Sequence, residues 1–206
     1  GDFPMDEYEW YFGFDKYWKL VQTHVPSKTA RILVPGIGND PVLLELLQKG
    51  YTKLTATDYS DHAIERQQDL LSYQNHEFSL DLALGNEEEE EDGNDDDDAS
   101  PTPVVVRLQT MDARNMPAEW TDCFDAILEK GALDAIYLSG DGNVERTVQE
   151  FERVLKPDGK LLSVSGVVPP DLRREIFEDW NWIRDGSDDI EAGCFVLGNS
   201  KNNNDT

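Results

Sequence analysis

The sequence has 206 residues, a length that favours one compact domain. Its 43 acidic and 18 basic residues give a formal charge of -25, which argues against a broad basic face for nucleic acid and favours a cationic ligand or a basic partner. No apolar run approaches the roughly 18 residues of a membrane-spanning helix, and the first residues lack a basic or apolar region, so we expect a soluble, cytoplasmic protein.

Residues 1–26 form a segment unusually rich in aromatic side chains. Eight of the 20 aromatic residues of the chain fall within its first 18 positions. The helical spacing of Tyr11, Phe14, Trp18 and Val21 predicts an amphipathic helix that lies on the core. Since that stripe uses fewer than half of these aromatic residues, we interpret the segment as a helix combined with a lid.

After Pro26, short apolar runs alternate with helical patterns, as in βα units around a parallel sheet. Strands are predicted at residues 31–35, 53–58, 104–109, 124–129 and 161–165. Helices are predicted after Asp40-Pro41, after Ser60, and over residues 143–155. The residues after the last helix, 156–159, form a strong turn signal.

Weaker strand patterns follow at residues 180–184 and 194–197, and they fit an antiparallel edge. The predicted fold class is therefore α/β, with a single Rossmann-like, doubly wound, mostly parallel sheet, an antiparallel edge and helices on both faces. We assign residues 1–198 to this domain and residues 199–206 to a polar, frayed tail.

An acidic stretch interrupts this alternation before the third predicted strand. Residues 87–98 contain ten acidic residues in twelve, and two prolines follow closely. Such a composition cannot bury enough apolar surface to order itself. We interpret residues 85–103 as a disordered loop insertion, and a docking site for a basic partner is the alternative.

Cysteine and histidine are too scattered to indicate a metal site. Cys123 and Cys194 lie far apart, which disfavours a disulfide framework or a cysteine-based zinc site and fits a reducing compartment. His24, His62 and His76 are equally separated. We interpret them as surface or packed histidines and predict no metal centre.

The end of the first predicted strand carries a glycine turn. Ligands of open α/β sheets bind at the carboxyl ends of the strands. Gly36 and Gly38 would let the backbone approach a ligand there, although a tight strand-to-helix turn needs the same residues. Position 41, where a dinucleotide-binding turn has a small residue, is Pro41, which disfavours a nicotinamide or flavin cofactor.

Acidic side chains follow the next three predicted strands. Asp58 lies 20 residues after Gly38, a spacing at which a carboxylate can accept hydrogen bonds from both ribose hydroxyls. Asp112 follows the third strand and could accept a bond from the adenine amine, with an ordinary turn aspartate as the alternative. Glu129 ends the fourth strand. Three carboxylates around one crevice would repel phosphates and suit a neutral nucleoside joined to a cation, such as S-adenosylmethionine.

These motifs together resemble class I S-adenosylmethionine-dependent methyltransferases from about Tyr8 to Val168. The stretches that carry the resemblance are Ile32-Leu33-Val34-Pro35-Gly36-Ile37-Gly38-Asn39, Thr57-Asp58-Tyr59-Ser60 and Leu155-Lys156-Pro157-Asp158-Gly159-Lys160-Leu161. A narrower resemblance, to the branch with the lysine methyltransferases of elongation factor 1-alpha, rests on Glu9-Trp10-Tyr11, Gly36-Ile37-Gly38-Asn39, Met111-Asp112-Ala113-Arg114 and the run from Phe124 to Ala135.

The resemblance implies S-adenosylmethionine as cofactor, S-adenosylhomocysteine as product, and a basic protein substrate such as a translation elongation factor. The cofactor-binding residues that it implies are Tyr8, Gly36, Gly38, Asn39, Asp58, Tyr59, Asp112, Ala113 and Glu129.

Methyl transfer from a sulfonium is an in-line displacement that needs positioned reactants and no metal or covalent nucleophile. We favour a protein lysine as acceptor, because an acidic surface attracts basic segments. A small-molecule methyltransferase and a cofactor-binding module without turnover are the alternatives. A nucleic-acid amine is disfavoured, since Glu129-Lys130-Gly131-Ala132 stands where adenine methyltransferases carry Asn/Asp-Pro-Pro-Tyr. The sequence assigns no catalytic residue or general base.

Overall fold

The computed structural model describes residues 11–78, 81–84, 104–140, 142–190, 192–199 and 201. Expectations for Tyr8 and the other aromatic residues before Tyr11 lie outside the described residues, as does the acidic insertion at 85–103. Within the described part of the chain, no helix combines the length and apolar character needed to cross a membrane.

The described residues form an α/β fold around one sheet. The helices are α1 (Phe14–His24), α2 (Val42–Gln48), α3 (Asp61–Phe78), α4 (Ala132–Leu138), α5 (Asn143–Val154) and α6 (Pro170–Ile176). The strands are β1 (Arg31–Pro35), β2 (Lys53–Asp58), β3 (Asp81–Leu84), β4 (Val105–Thr110), β5 (Phe124–Lys130), β6 (Leu155–Ser165), β7 (Asn181–Arg184) and β8 (Gly193–Gly198).

The order of these strands in the sheet is β3-β4-β2-β1-β5-β6-β8-β7. Neighbouring strands from β3 to β6 are parallel, whereas β6 with β8 and β8 with β7 are antiparallel. The predicted fold class is confirmed, including the antiparallel edge. Strand β3 was not predicted, because a four-residue edge strand beside an acidic run carries little pattern.

The helices cover both faces of the sheet, as the alternation along β1 shows. Ile32 and Val34 belong to a buried cluster that also contains residues of α1, α2 and α3. Leu33, between them, belongs to a second cluster with residues of α4, α5 and α6. Successive strand side chains point to opposite faces, so each strand at the centre of the sheet supplies two cores.

The N-terminal helix begins later than its apolar stripe suggested. Tyr11 has a φ of 68°, in the left-handed region, so it stands outside the right-handed helix that starts at Phe14. Phe14, Tyr17 and Val21 form the buried face of α1. The amphipathic helix is thus confirmed, but Tyr11 precedes it and makes different contacts.

The predicted turn at residues 156–159 lies within the bounds of β6 as a bulge. Phe124 of β5 pairs with Leu155, and Ala126 pairs with Lys160, so four residues of β6 oppose a single residue of β5. Helix α5 accordingly ends at Val154, one residue earlier than predicted.

The ordered fold extends beyond the boundary expected at residue 198. Asn199 is buried, and its side-chain amide donates to the carbonyls of Glu152, Leu155 and Lys156. Lys201 donates to the Leu155 carbonyl at 3.0 Å. These two polar residues are held by backbone carbonyls, whereas their composition alone predicted a frayed tail.

Candidate functional site

A crevice of about 530 Å³ opens at the carboxyl ends of β1, β2, β4 and β5. This volume lies within the range of about 300 to 1,000 Å³ that small-molecule sites occupy. The residues that line it include Gly36, Gly38, Asn39, Asp58, Tyr59, Asp112, Ala113, Arg114, Lys130 and Gly131. Seven of the nine predicted cofactor-binding residues are therefore brought together; Glu129 is not among them, and Tyr8 lies outside the described residues.

The glycine turn after β1 needs its two glycines for different reasons. Gly36 has a φ of 63°, and a Cβ there would lie 2.8 Å from the Cβ of Ala132, so it allows close packing. Gly38 has a φ of 51° and no neighbouring atom within 4 Å of such a Cβ, so it needs glycine for its backbone conformation and faces open space.

The buried side chain of Gln67 in α3 holds this turn in place, a role that the sequence did not suggest. Its amide donates to the carbonyl of Gly38 at 3.0 Å and to that of Asp40 at 2.9 Å. Asp40 accepts a bond from the Val42 amide at 3.0 Å, as predicted for the residue that caps α2.

Asp58 links the glycine turn to the start of α3. One carboxylate oxygen accepts a bond from the Gly38 amide at 2.9 Å, and the other accepts from the Ser60 amide at 2.9 Å. An ionised carboxylate offers about four acceptor positions, so two donors leave capacity for ligand hydroxyls. Tyr59 beside it is largely exposed at the mouth of the crevice.

Asp112 lies across the crevice, after β4, in an ion pair with Arg114. The guanidinium approaches the carboxylate at 2.7 Å, and the Arg114 amide donates to the same carboxylate at 2.9 Å. The hydrogen bond from the Arg114 side chain holds the pKa of Asp112 below its usual value. Ala113, between them, also lines the crevice.

The structure corrects the expected position of Glu129. Its carboxylate is 99% buried, receives hydrogen bonds from the Ser163 hydroxyl and the Leu133 amide, and does not line the crevice. Burial raises the pKa of Glu129 to about 7. Alternation along β5 gives the reason, since Glu129 shares the face of Ile127 and points toward the core of α4 to α6.

A second buried carboxylate, Asp134 in α4, joins Tyr11 to the end of β6 and the residues after it. It accepts hydrogen bonds from the Tyr11 hydroxyl at 2.5 Å, the Ser165 hydroxyl at 2.6 Å and three backbone amides at 166–168, between 2.8 and 3.0 Å. Burial acts to raise the pKa of Asp134, but the bonds from Ser165 and Tyr11 outweigh it and keep that pKa low. Burial, with help from Asp134, raises the pKa of Tyr11. No short sequence pattern marks this cluster.

The crevice residues fit the chemistry of S-adenosylmethionine. Asp58 and Asp112 present acceptors, which suit the ribose hydroxyls and the adenine amine as donors. Gly38 leaves room for a ligand close to the backbone. Among the described residues, no three potential ligand side chains gather as a metal site.

Comparison with known proteins shows which family this chain belongs to. A family model described as a methyltransferase domain matches residues 33–163. EEF1A lysine methyltransferase 4 of Mus musculus is 28% identical over 172 residues, which cover 79% of this chain and 55% of that protein. EEF1A lysine methyltransferase 2 of Homo sapiens is 26% identical over 166 residues, 78% of this chain and 58% of that one. The chain thus spans little more than half the length of these relatives.

Solved structures share the fold at lower identity. The PH0226 protein of Pyrococcus horikoshii OT3 has a TM-score of 0.61 at 14% identity, covering 90% of this chain and 88% of its own. Magnesium protoporphyrin IX methyltransferase from Synechocystis PCC 6803, solved with S-adenosylmethionine, has a TM-score of 0.58 at 12% identity, with coverages of 89% and 76%. The chain therefore belongs to the methyltransferase domain family and resembles the EEF1A lysine methyltransferases.

Proposed function

We propose that the protein transfers a methyl group from S-adenosylmethionine to a lysine of a basic protein, with a translation elongation factor as the first candidate substrate. The observation that carries the proposal is the single crevice in which the glycine turn, Asp58 and Asp112 face one another. The choice of lysine is supported by relatives named as EEF1A lysine methyltransferases and by the net charge of -25.

The bound cofactor would supply a methyl group on a positively charged sulfur. Asp58 and Asp112 would orient its nucleoside by accepting hydrogen bonds, and the space beside Gly38 would receive it close to the backbone. These residues position a reactant and leave the chemistry to the sulfonium. Glu129 and Asp134 do not line the crevice, and both are buried.

A lysine acceptor must lose a proton before it attacks. Its reference pKa of about 10.4 makes the neutral amine cost about 4 kcal/mol near pH 7.4. A site poor in water lowers that cost, since burial disfavours the charged form of an amine. Glu129 and Asp134 are too deeply buried to receive the proton directly, so we assign no general base to either.

Calorimetric titration with S-adenosylhomocysteine tests the cofactor site. Asp58→Ala removes the predicted acceptor for the ribose hydroxyls and should weaken binding by about 2 to 3 kcal/mol, or about 30- to 150-fold. Asp61→Ala, an exposed carboxylate three residues away, is the matched control and should bind as the wild type does. Equal affinity of the two variants would contradict the site.

Incubation with labelled S-adenosylmethionine tests the acceptor. Purified elongation factor 1-alpha should gain label on a lysine, which peptide mass spectrometry locates. Label that appears only in low-mass material would instead identify a small-molecule methyltransferase. Tight binding of S-adenosylhomocysteine without any turnover, on this substrate or in lysate fractions, would favour a binding module.

We further propose a cytoplasmic location. Both cysteines are free thiols in the structure, as is usual in a reducing compartment. Fractionation of cells that express the full protein checks this proposal, and recovery in an oxidising compartment would contradict it.

A further inference from the structure

The ammonium group of Lys130 connects one wall of the crevice to the N-terminal segment. It lies 2.7 Å from a carboxylate oxygen of Asp40 and donates to the Phe12 carbonyl at 2.7 Å. Asp40 belongs to the loop of the glycine turn, and Phe12 belongs to the N-terminal segment (residues 11–24). The Lys130 side chain itself lines the crevice and is only 8% exposed.

Both ends of this connection are themselves anchored. Asp40 caps α2 through the Val42 amide, and its carbonyl accepts a bond from Gln67. Phe12 is buried, and the hydroxyl of Tyr11 before it is bonded to Asp134. Polar contacts through Asp40 and Lys130 therefore connect the glycine turn to the N-terminal segment without a break.

The backbone of Lys130 gives the connection a fixed origin. Lys130 is the last residue of β5 and pairs with Val164 of β6, while the Gly131 amide donates to the Val164 carbonyl at 2.9 Å. An ammonium has three donors. Two of them are committed to Asp40 and to the Phe12 carbonyl, so the side chain links these two residues.

We propose that Lys130 is a positioning residue that couples the glycine turn to the N-terminal segment, so that ligand binding at the turn orders both of these regions. The inference rests on the proposed function, because it takes S-adenosylmethionine as the ligand that contacts the turn. It adds a route by which cofactor binding reaches residues 11–24, which the crevice itself does not include.

The experiment combines calorimetry with hydrogen exchange of peptides from residues 11–24, using S-adenosylhomocysteine as the probe. In the wild type, the probe should bind and slow exchange in these peptides. Lys130→Met should weaken binding by about 5- to 150-fold, the usual range for coupled sites, and abolish the slowing. Lys130→Arg, which keeps charge and reach, should restore most of both effects.

The chain offers a matched control in Lys160. Its ammonium donates to the His24 carbonyl at 3.1 Å, at the other end of the N-terminal segment and away from the crevice. Lys160→Met should loosen the segment without changing the affinity for the probe. If it weakened binding as much as Lys130→Met, general loosening would explain the result and the inference would be wrong.

Loss of Lys130 leaves the Asp40 carboxylate without its cation, which can destabilise the protein. The double variant Asp40→Asn with Lys130→Met removes both charges and keeps an oxygen to cap α2. It should recover the unfolding midpoint and still bind weakly. Restored affinity and protection in the double variant would overturn the coupling role. A wild type that fails to bind the probe would instead refute the proposed function.

Discussion

Two pairs of carboxylates stand near the strand ends of this protein, and their surroundings differ. Asp58 and Asp112 line the crevice, and each bonds to the residue two positions further along the chain, Asp58 also to the Gly38 amide. Glu129 and Asp134 are more completely buried, and apart from the Leu133 amide their donors are distant in the sequence, as far as Tyr11, 123 residues from Asp134.

The difference indicates that an acidic side chain near the strand ends can keep acceptor positions for a ligand or use them within the fold, depending on its partners. Asp58 has two backbone donors and keeps acceptor capacity. Asp134 accepts hydrogen bonds from five donors and has no acceptor position left for a ligand, so its carboxylate serves the structure. Variants of each pair should therefore separate cofactor affinity from the free energy of unfolding.

The largest expected effect is on stability at Asp134. Asp134→Ala leaves the Tyr11 and Ser165 hydroxyls and three backbone amides without their acceptor, which should lower the free energy of unfolding by about 3 to 5 kcal/mol. Urea unfolding followed by tryptophan fluorescence measures the loss. Asp134→Asn, which keeps one acceptor oxygen, should lose less. A loss no larger than that of Asp61→Ala would show that this cluster is not structural.

Glu129 should make the free energy of unfolding fall as the pH rises, whereas a carboxylate in an ordinary buried ion pair makes it rise. Its pKa in the folded protein, about 7, lies above the ordinary value of 4.5, so the folded state keeps a proton that the unfolded chain releases. The stability present below pH 4.5 is therefore lost as the pH rises through 7.

Glu129→Gln removes this proton equilibrium; its oxygen can accept from the Leu133 amide, and its NH2 group can donate to the Ser163 hydroxyl. Relative to the wild type, the variant should gain up to about 3 kcal/mol in free energy of unfolding between pH 4.5 and 7. Unfolding curves at several pH values test this expectation. A constant difference between the two proteins would mean that Glu129 is not protonated in the folded state.

A smaller effect is expected at Gln67, whose side chain holds the glycine turn beside Asp58. Gln67→Leu leaves the carbonyls of Gly38 and Asp40 without a donor and should cost about 1 to 3 kcal/mol of stability. Because the glycine turn also bonds Asp58, affinity for S-adenosylhomocysteine should fall as well. Gln67→Glu, with similar size and no amide donor, should lose affinity too. A loss of stability with unchanged affinity would show that the position of the glycine turn does not affect binding of S-adenosylhomocysteine.

The sequence predicted what depends on local spacing. The strands, the glycine turn and the 20-residue step from Gly38 to Asp58 follow from patterns within one βα unit, and the Gly38 amide does bond Asp58. Gln67 and Asp134 went unnoticed, since their partners lie 27 to 123 residues away and no short pattern marks them. Glu129 was placed at the crevice because its position at a strand end is visible in sequence, whereas the face that it shares with Ile127 matters only once the cores are known.

The smallest expected effect concerns Arg114, the ion-pair partner of Asp112 in the crevice. Arg114→Ala removes an exposed partner of Asp112, so the free energy of unfolding should barely change. The hydrogen bond from Arg114 lowers the pKa of Asp112 and keeps that carboxylate ionised in mild acid. Without Arg114, Asp112 should take up its proton at a higher pH, and S-adenosylhomocysteine affinity should begin to fall at a higher pH than in the wild type.

Titrations across the acid range check this shift, with Arg146→Ala, which removes a weaker electrostatic neighbour of Asp112, as the matched control. Coincident pH profiles for Arg114→Ala and the wild type would mean that the charge of Asp112 does not contribute to binding, which would leave Asp58 as the carboxylate that the ligand needs.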